Sequence, residues 1–195
     1  MKVLVAAVAF VLGGCAFIDN KVALKYQSEP SQQPTAQSRG MVHVVPTKDS
    51  AGLARNAKGV LVIGHVRNSY GSKTADVLTD DSPSEWVHSA LMDELRTRGF
   101  SPSSESASDT VVLTELVSIE NETEVNFFTA ADQVTTRLKV KVMRGGVVVE
   151  ESECVGRSDH RAGVLSERTK QAAYIESLSK TVKAAADRVA EALSR

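Results

Sequence analysis

Residues 134–149 read VTTRLKVKVMRGGVVV, and this stretch decides the fold. In its first half apolar or small side chains alternate with polar or cationic ones, a period of two that predicts a strand with one buried face. The residues predicted to face the core are Val134, Thr136, Leu138, Val140 and Val142. Gly145-Gly146 then predicts a two-residue hairpin turn, because the favoured turn of this length needs positive φ at both positions. The valines at 147–149 begin the returning strand.

Charge and burial predict the pairing across this hairpin. A plain two-residue loop pairs Lys141 with Glu150, but it turns the next glutamates, Glu151 and Glu153, toward the core. A β-bulge at Glu150–Glu151 removes this conflict, since one extra residue reverses which side chains face inward. We then expect Cys154 to face the core as a small buried hydrophobe.

Two segments predict helices. Ser82-Pro83-Ser84-Glu85 combines a capping serine with a proline at the first helical position, and this helix should end at Gly99. At about 170–194, apolar residues and alanines recur every three or four positions. We interpret this second helix as packed on its own sheet, and the alternative of a partner-binding helix stays open.

Shorter patterns fill in the remaining elements. Further strands are predicted at 41–45, 59–64 and 110–119. Loops or turns are predicted at 47–58, 66–71, 101–109 and 121–124, and 156–158 are predicted as a strand exit. This order predicts an α+β fold, with a mixed or antiparallel β-sheet and two main helices packed on one face.

The amino terminus carries a targeting pattern. Lys2 precedes a short apolar run at 3–11, and Leu12-Gly13-Gly14-Cys15 follows. A basic start, an apolar middle and small residues at the end are the layout of a secretory signal peptide. The run is too short for a bilayer span, which needs about 20 residues. Leu-Gly-Gly-Cys further resembles the lipobox of bacterial lipoproteins, and the alternative is an ordinary signal peptide with a chance cysteine.

The lipobox resemblance implies where the chain is cut and how it is held. Cleavage would fall between Gly14 and Cys15, with diacylglycerol on the Cys15 sulfur and an acyl chain on the new amino terminus. Three acyl chains attach a protein stably to a membrane, whereas one gives marginal binding. Ala16 is not the aspartate that resembles an inner-membrane retention signal in enteric bacteria. We therefore expect a lipid-anchored protein on the periplasmic face of the outer membrane of a Gram-negative bacterium.

The signal and the composition predict the organisation of the chain. We expect a signal peptide at 1–14, and a lipidated cysteine, a short strand and a flexible tether rich in Gln, Ser and Pro at 15–39. A single α+β periplasmic domain should occupy 40–195. Whether residues 16–26 join its sheet is left open. With Cys15 lipidated, Cys154 has no intramolecular disulfide partner.

Few residues could carry chemistry. No HExxH, CxxC or GxSxG motif is present, and four scattered histidines remain: His43, His65, His88 and His160. Asp159-His160 could be half of a catalytic triad, but no serine lies in a nucleophile elbow. We predict no catalytic residue, no metal site, no enzymatic activity and no cofactor beyond the covalent lipid on Cys15. With 23 basic and 24 acidic residues, the charge gives no reason to expect nucleic-acid binding.

Several stretches together resemble one protein family. Val22-Ala23-Leu24-Lys25-Tyr26 follows the lipobox, VRNSYGSKTADV at 66–77 leads toward the helix with Trp86, and LRTRGF at 95–100 ends that helix. With the Gly145-Gly146 hairpin and the alanine-rich last helix, this series resembles the YajG-like outer-membrane lipoproteins. The architecture is also similar to the amino-terminal domain of TolB and to lipoprotein activators of penicillin-binding proteins. The resemblance implies location and fold more than an activity.

The leading hypothesis is a non-catalytic binding or structural module for another cell-envelope component, a protein or the cell wall. Its predicted contact surface is the loop at 67–81 together with two aromatic residues. The candidate residues are Arg67, Asn68, Tyr70, Lys73, Asp76, Phe127 and Phe128. The alternative is a lipid or glycan carrier or chaperone, which predicts a cavity of roughly several hundred cubic ångström between sheet and helices. A hydrolase centred on Asp159 and His160 is the least favoured class.

Overall fold

Nine strands and two helices form the regular structure of the residues that this computed structural model describes, 19–26, 39–105, 108–125, 129–162 and 166–195. The strands are β1 (Asn20–Lys21), β2 (Met41–Val44), β3 (Lys48–Asp49), β4 (Leu61–Asn68), β5 (Lys73–Thr79), β6 (Ser101–Ser103), β7 (Thr110–Val125), β8 (Ala130–Arg144) and β9 (Val147–Ala162). The helices are α1 (Pro83–Thr97) and α2 (Glu167–Ser194). The predicted α+β fold class is confirmed.

Strand β7 is the central strand of a mixed sheet. On one side it pairs antiparallel with β8, which pairs antiparallel with β9. On the other side it pairs parallel with β2, β3 and β4 in succession along its length. Beyond these, β6 pairs parallel with β2, β5 pairs antiparallel with β4, and β1 pairs parallel with β5. Within the described ranges, β9 therefore forms one long edge of the sheet.

The β8–β9 hairpin turns at the two predicted glycines, which have φ of 57° and 81°. Its bulge lies one residue earlier than predicted, because the ladder skips Val149 and resumes at Glu150. Lys141 consequently pairs with Glu151 rather than with Glu150, and 3.1 Å separates Nζ from Oε2. The shift turns Cys154 toward the helices, where it is buried as predicted.

Both helices pack on the same face of the sheet. Helix α1 starts where predicted, with the Ser82 Oγ accepting a hydrogen bond from the Glu85 N–H, and Gly99 follows it with φ of 85°. Helix α2 begins three residues earlier than predicted and lies over β8 and β9. A Cβ on Gly156 of β9 would lie 2.1 Å from the Ser177 carbonyl oxygen, so the absence of a side chain there permits the close approach.

The apolar core lies between the sheet and the helices. The apolar stripe of α2 is buried in it, which confirms the interpretation of α2 as a helix packed on its own sheet. The largest fully buried side chains include Leu91, Leu95, Leu116, Leu138 and Leu178. Leucines from both helices and from β7 and β8 thus form one continuous core.

The opposite face of the sheet, called the open face below, is charged. On it Lys139 of β8 lies between Glu115 of β7 and Glu153 of β9 in the strand registers. An apolar covered face and a charged open face together produce the period of two from which β8 was predicted.

Several segments predicted as loops are strands. Residues 121–124 continue β7 to Val125 instead of forming a turn. Both faces are polar here, because Asn121 and Thr123 face the helices while Glu122 and Glu124 face solvent. The loop predicted at 67–81 contains the end of β4 and all of β5, whose inward residues are mostly small and give a weak apolar signal. Residues 156–158 lie within β9, and 47–58 and 101–109 include the short strands β3 and β6.

The chain before the main domain also belongs to the fold. Strand β1 pairs with Val77 and Leu78 of β5, and Val22 and Leu24 directly after it are buried. The Leu24 N–H donates a hydrogen bond to the Asp81 carboxylate at 2.8 Å. Residues 20–26 therefore join the sheet and core, which answers the question that the sequence leaves open. Among the described helices, none combines the length and the hydropathy that a membrane span requires.

Candidate functional site

The turn between β4 and β5 is built by one asparagine. The Asn68 side-chain oxygen accepts hydrogen bonds from the backbone N–H groups of Tyr70 and Ser72, each at 3.0 Å. The Asn68 carbonyl also accepts from the Gly71 N–H at 2.8 Å. Gly71 has φ of 77°, a conformation that glycine adopts without steric cost. Residues 67–72, called the hairpin tip below, thus form a preorganised turn.

Two side chains of the hairpin tip are presented to solvent. Tyr70 is 91% exposed. Arg67 is also exposed, and its Nη1 donates to the Gly71 carbonyl at 2.8 Å, which holds the guanidinium beside the turn. Tyrosine and arginine are the residue types that dominate binding hot spots. Because the turn is already ordered, contact with a partner costs little further conformational entropy.

A charged cluster lies on the open face just below the hairpin tip. The Asp76 carboxylate accepts from His65 Nδ1 at 2.7 Å and from Lys73 Nζ at 2.6 Å. Partial burial raises the pKa of Asp76, but the hydrogen bonds from Lys73 and His65 outweigh it, so the net pKa lies below its ordinary value. The Asp76 N–H in turn donates to the Asp19 carboxylate at 2.9 Å. The cluster fixes the base of the hairpin and the start of the described chain together.

An open cleft of about 1020 Å³ lies between the amino-terminal segment and the start of α2. Its walls carry charges of both signs, including an ion pair between Lys21 and Asp80. Lys25 and Arg168 add two further cations, and Glu167 adds an anion. The alternative carrier hypothesis predicts a cavity of roughly several hundred cubic ångström between sheet and helices, whereas this cleft is open and its walls are charged.

A buried polar cluster under the first turns of α2 was not predicted. Asp132 is fully buried on the covered face, where Asn121 Nδ2 donates to it at 2.7 Å and the Thr123 hydroxyl donates as well. Lys170 and Tyr174 of α2 are buried beside this carboxylate. Burial lowers the pKa of Lys170, although the negative Asp132 opposes the shift, and burial raises the pKa of Tyr174 well above its ordinary value. Since solvent does not reach these groups, we interpret the cluster as a docking element for α2 rather than a substrate site.

One sequence signal could have revealed this cluster. Asp132 stands two residues before Val134, in phase with the alternation that predicts the buried face of β8. An acidic residue at a core position requires hydrogen-bond partners. Those partners come from β7, so they cannot be assigned before the β7–β8 register is known.

The structure brings part of the predicted contact surface together. Arg67, Asn68 and Tyr70 form the hairpin tip, and Lys73 and Asp76 lie at its base. The Asn68 side chain is occupied in building the turn, so its role there is structural rather than direct contact. Two other predicted contact residues, Phe127 and Phe128, lie outside the described residues, as do Gly14 and Cys15.

Asp159 and His160, which the least favoured hypothesis considers as half of a catalytic triad, have different partners in the structure. His160 Nε2 lies 2.7 Å from the Glu176 carboxylate of α2, whereas Asp159 lies 3.5 Å from Arg161. Neighbouring residues of a strand point to opposite faces, which is why the two side chains do not meet. Among the residues that the structure describes, no group of three or more His, Cys, Asp or Glu side chains could hold a metal ion.

Comparison with solved structures establishes the fold. A Xanthomonas campestris protein of the DUF330 family matches with a TM-score of 0.56 and 11% identity, over 88% of this chain and 95% of its own. A hypothetical protein from Chlamydia trachomatis matches with a TM-score of 0.52 and 10% identity, over 81% of this chain and 98% of its own. A candidate lipoprotein from Caulobacter crescentus aligns with a TM-score of 0.35 and 10% identity, over 59% of this chain and 83% of its own, and the fold assignment does not rest on this match. No protein-family model matches the chain, and no curated protein matches its sequence.

Proposed function

We propose that this protein is a lipid-anchored outer-membrane lipoprotein whose domain binds another cell-envelope component without catalysing a reaction. The hairpin tip is the contact site, and Tyr70 and Arg67 are its contact residues. The observation that carries the proposal is a tyrosine that is 91% exposed on a turn held by side-chain and main-chain hydrogen bonds. The Tyr70 side chain buries little of its surface in the described fold, so most of its ring is available to a partner.

The chemistry of the hairpin tip favours a protein or cell-wall partner. Tyr70 offers an apolar ring with a hydroxyl, and Arg67 offers planar hydrogen-bond donors beside it. Both side chains are of types that recur in binding surfaces. Binding rather than turnover is therefore the activity that this surface supports.

The lipid anchor is proposed from the Leu12-Gly13-Gly14-Cys15 signal. Its test is metabolic labelling of cells with an alkyne-tagged fatty acid, followed by membrane fractionation. We expect the label on the wild-type chain in the outer-membrane fraction and no label on Cys15→Ser. Label retained by Cys15→Ser would overturn the assignment of the anchor.

The contact site is tested by co-purification from cells after chemical crosslinking. We expect Tyr70→Ala and Arg67→Ala to reduce the yield of crosslinked partners at least about tenfold, as for hot-spot residues. Met41→Ala is the matched control, because Met41 is 53% exposed and lies on β2, outside the hairpin. An unchanged set of partners in Tyr70→Ala and Arg67→Ala would remove the hairpin tip as the site.

A further inference from the structure

The free edge of β9 is the largest unpaired feature of the sheet. Strand β9 has 16 residues and pairs only with β8 among the described strands. Four valines of this strand are exposed by 41% to 66%: Val147, Val148, Val149 and Val155. A long edge with exposed β-branched residues is a template for pairing with another strand.

The backbone groups that this edge offers can be identified. The Arg157 carbonyl accepts a hydrogen bond from Lys180 Nζ of α2 at 3.0 Å. Backbone groups of a strand point alternately to its two sides, so the residues that share the orientation of Arg157 are every second one from 151 to 161. Their side chains lie on the open face, next to the groups that would pair.

We infer that this edge pairs antiparallel with β9 of a second copy of the chain, around a two-fold axis through Cys154. In that register Glu151 of each copy lies opposite Arg157 of the other, and Glu153 lies opposite Val155. No like charges meet. Opposite charges in directly facing positions stabilise a strand pair, and like charges destabilise it.

In the neighbouring registers that keep the backbone hydrogen bonds, like charges lie opposite each other. An axis through residue 152 sets Glu151 against Glu153, and an axis through residue 153 sets Glu153 against itself. Axes through residues 155 and 156 set Asp159 against Glu151 or Glu153, and an axis through Arg157 sets that arginine against itself. Among the axes from residue 152 to Arg157, the charge pattern of β9 therefore favours the one through Cys154, where the strand is complementary in charge to a second copy of itself.

The charges on α2 are also complementary between two copies related by this two-fold axis. Lys180 lies on the β9 side of the helix, and Glu191 follows eleven residues later, about three turns on, and so faces the same way. Gly156 lies beneath Ser177 and Thr181. The two-fold axis passes through Cys154, two strand residues from Gly156, so it crosses α2 between Lys180 and Glu191. Antiparallel copies of α2 thus bring Lys180 of one copy to within about one helical turn of Glu191 of the other.

The spacing also suits contact between the helices. Each α2 lies over the β8–β9 pair, and strands are about 4.8 Å apart. Two copies joined at β9 would hold their α2 axes about 10 Å apart, the usual distance of packed helices. The two-fold axis is perpendicular to the sheet, so both proposed lipid anchors reach one bilayer when the sheet lies parallel to it.

The experiment measures the molar mass of the full-length chain in detergent by light scattering over a concentration series. We expect a dimer whose dissociation constant rises at least about tenfold in Arg157→Glu, and we expect the double variant Glu151→Arg/Arg157→Glu to restore it. Arg161→Glu is the matched control, because it makes the same change of charge on β9 but faces no charge in this register. Val155→Pro removes an edge N–H and should also weaken the dimer.

A monomer at every concentration would overturn the inference. So would a dimer that Arg157→Glu and Val155→Pro leave intact, or one that the double variant fails to restore. Tyr70→Ala should leave the molar mass unchanged, so the result is independent of the proposed contact site at the hairpin tip.

Discussion

The Asp19 carboxylate accepts a hydrogen bond from the backbone N–H of Asp76, at 2.9 Å between N and Oδ1. This bond fixes the described start of the chain beside the base of the hairpin tip. Only three residues separate Cys15 from Asp19. At about 3.5 Å per residue, a lipidated Cys15 would hold Asp76 within roughly 15 Å of the bilayer surface.

A longer connection at this point should separate anchoring from partner binding. Insertion of about ten Gly/Ser residues between Phe17 and Ile18 leaves the fold and the proposed lipid intact but frees the domain from the bilayer. We expect normal membrane fractionation with a reduced yield of partner crosslinks. The same insertion at Gln33 is the control, because it lies between two segments that both pack on the domain. Equal crosslink yields from both insertions would contradict this role of the short connection.

The close approach of α2 to β9 makes Gly156 a sensitive position. A Cβ there would lie 2.1 Å from the Ser177 carbonyl oxygen and 2.3 Å from the Thr181 hydroxyl. We expect Gly156→Ala to lower the free energy of unfolding by at least about 2 kcal/mol in urea denaturation, because the helix must shift. Ser158 lies two residues further along β9, and its buried hydroxyl has no hydrogen-bond partner in the described structure. Removing this hydroxyl in Ser158→Ala should therefore be close to neutral. A loss for Gly156→Ala no larger than that for Ser158→Ala would contradict the packing described for α2.

The buried Lys170 should make stability depend on alkaline pH. Burial lowers the pKa of Lys170 from its ordinary value of 10.5, although Asp132 opposes the shift. Between the folded pKa and 10.5 the unfolded chain binds more protons at this site, so its contribution to stability rises with pH. We therefore expect the free energy of unfolding of the wild type, relative to Lys170→Met, to increase as the pH approaches 10.5. A difference that stays flat or falls over this range would show that Lys170 is not desolvated in the fold.

The thiol content of the protein tests both cysteines. Burial raises the pKa of the Cys154 thiol, so we expect no reaction of this group with a thiol reagent in the native protein. After denaturation we expect one reactive thiol per chain, since Cys15 would carry lipid. Two thiols in the denatured protein would contradict lipidation, and a rapid native reaction assigned to Cys154 by peptide mapping would contradict its burial.

The sequence predicts best where the signal is local. The period of two over 134–142 predicts β8 and its buried face, and Ser82 with Pro83 predicts the start of α1. The missed features depend on partners far along the chain. Residues 121–124 have the composition of a turn but extend β7 through pairing with β8 and with β4, and β5 has mostly small inward residues. The structural role of Asp132 depends on Thr123 and Lys170, which only the fold brings beside it.

The candidate contact site likewise has features that the sequence predicts and features that it does not. The residues of the hairpin tip were predicted as part of a loop, and Tyr70 and Arg67 are indeed exposed. What the sequence does not indicate is that Asn68 holds the turn rigid, because its two side-chain hydrogen bonds require a specific backbone path. We expect Asn68→Ala to accelerate amide hydrogen exchange at Tyr70 and Ser72, with Ser69→Ala as the control. Unchanged exchange in Asn68→Ala would contradict the preorganisation of the turn.

The most direct test of the proposed function is site-specific photocrosslinking in intact cells. A photoreactive phenylalanine analogue replaces Tyr70 in one strain and Met41 in another, so both probes are exposed but only one lies at the hairpin tip. We predict a discrete crosslinked band from position 70 that contains an envelope component, and none from position 41. Absence of any crosslink at position 70, or the same bands from both positions, would contradict the account.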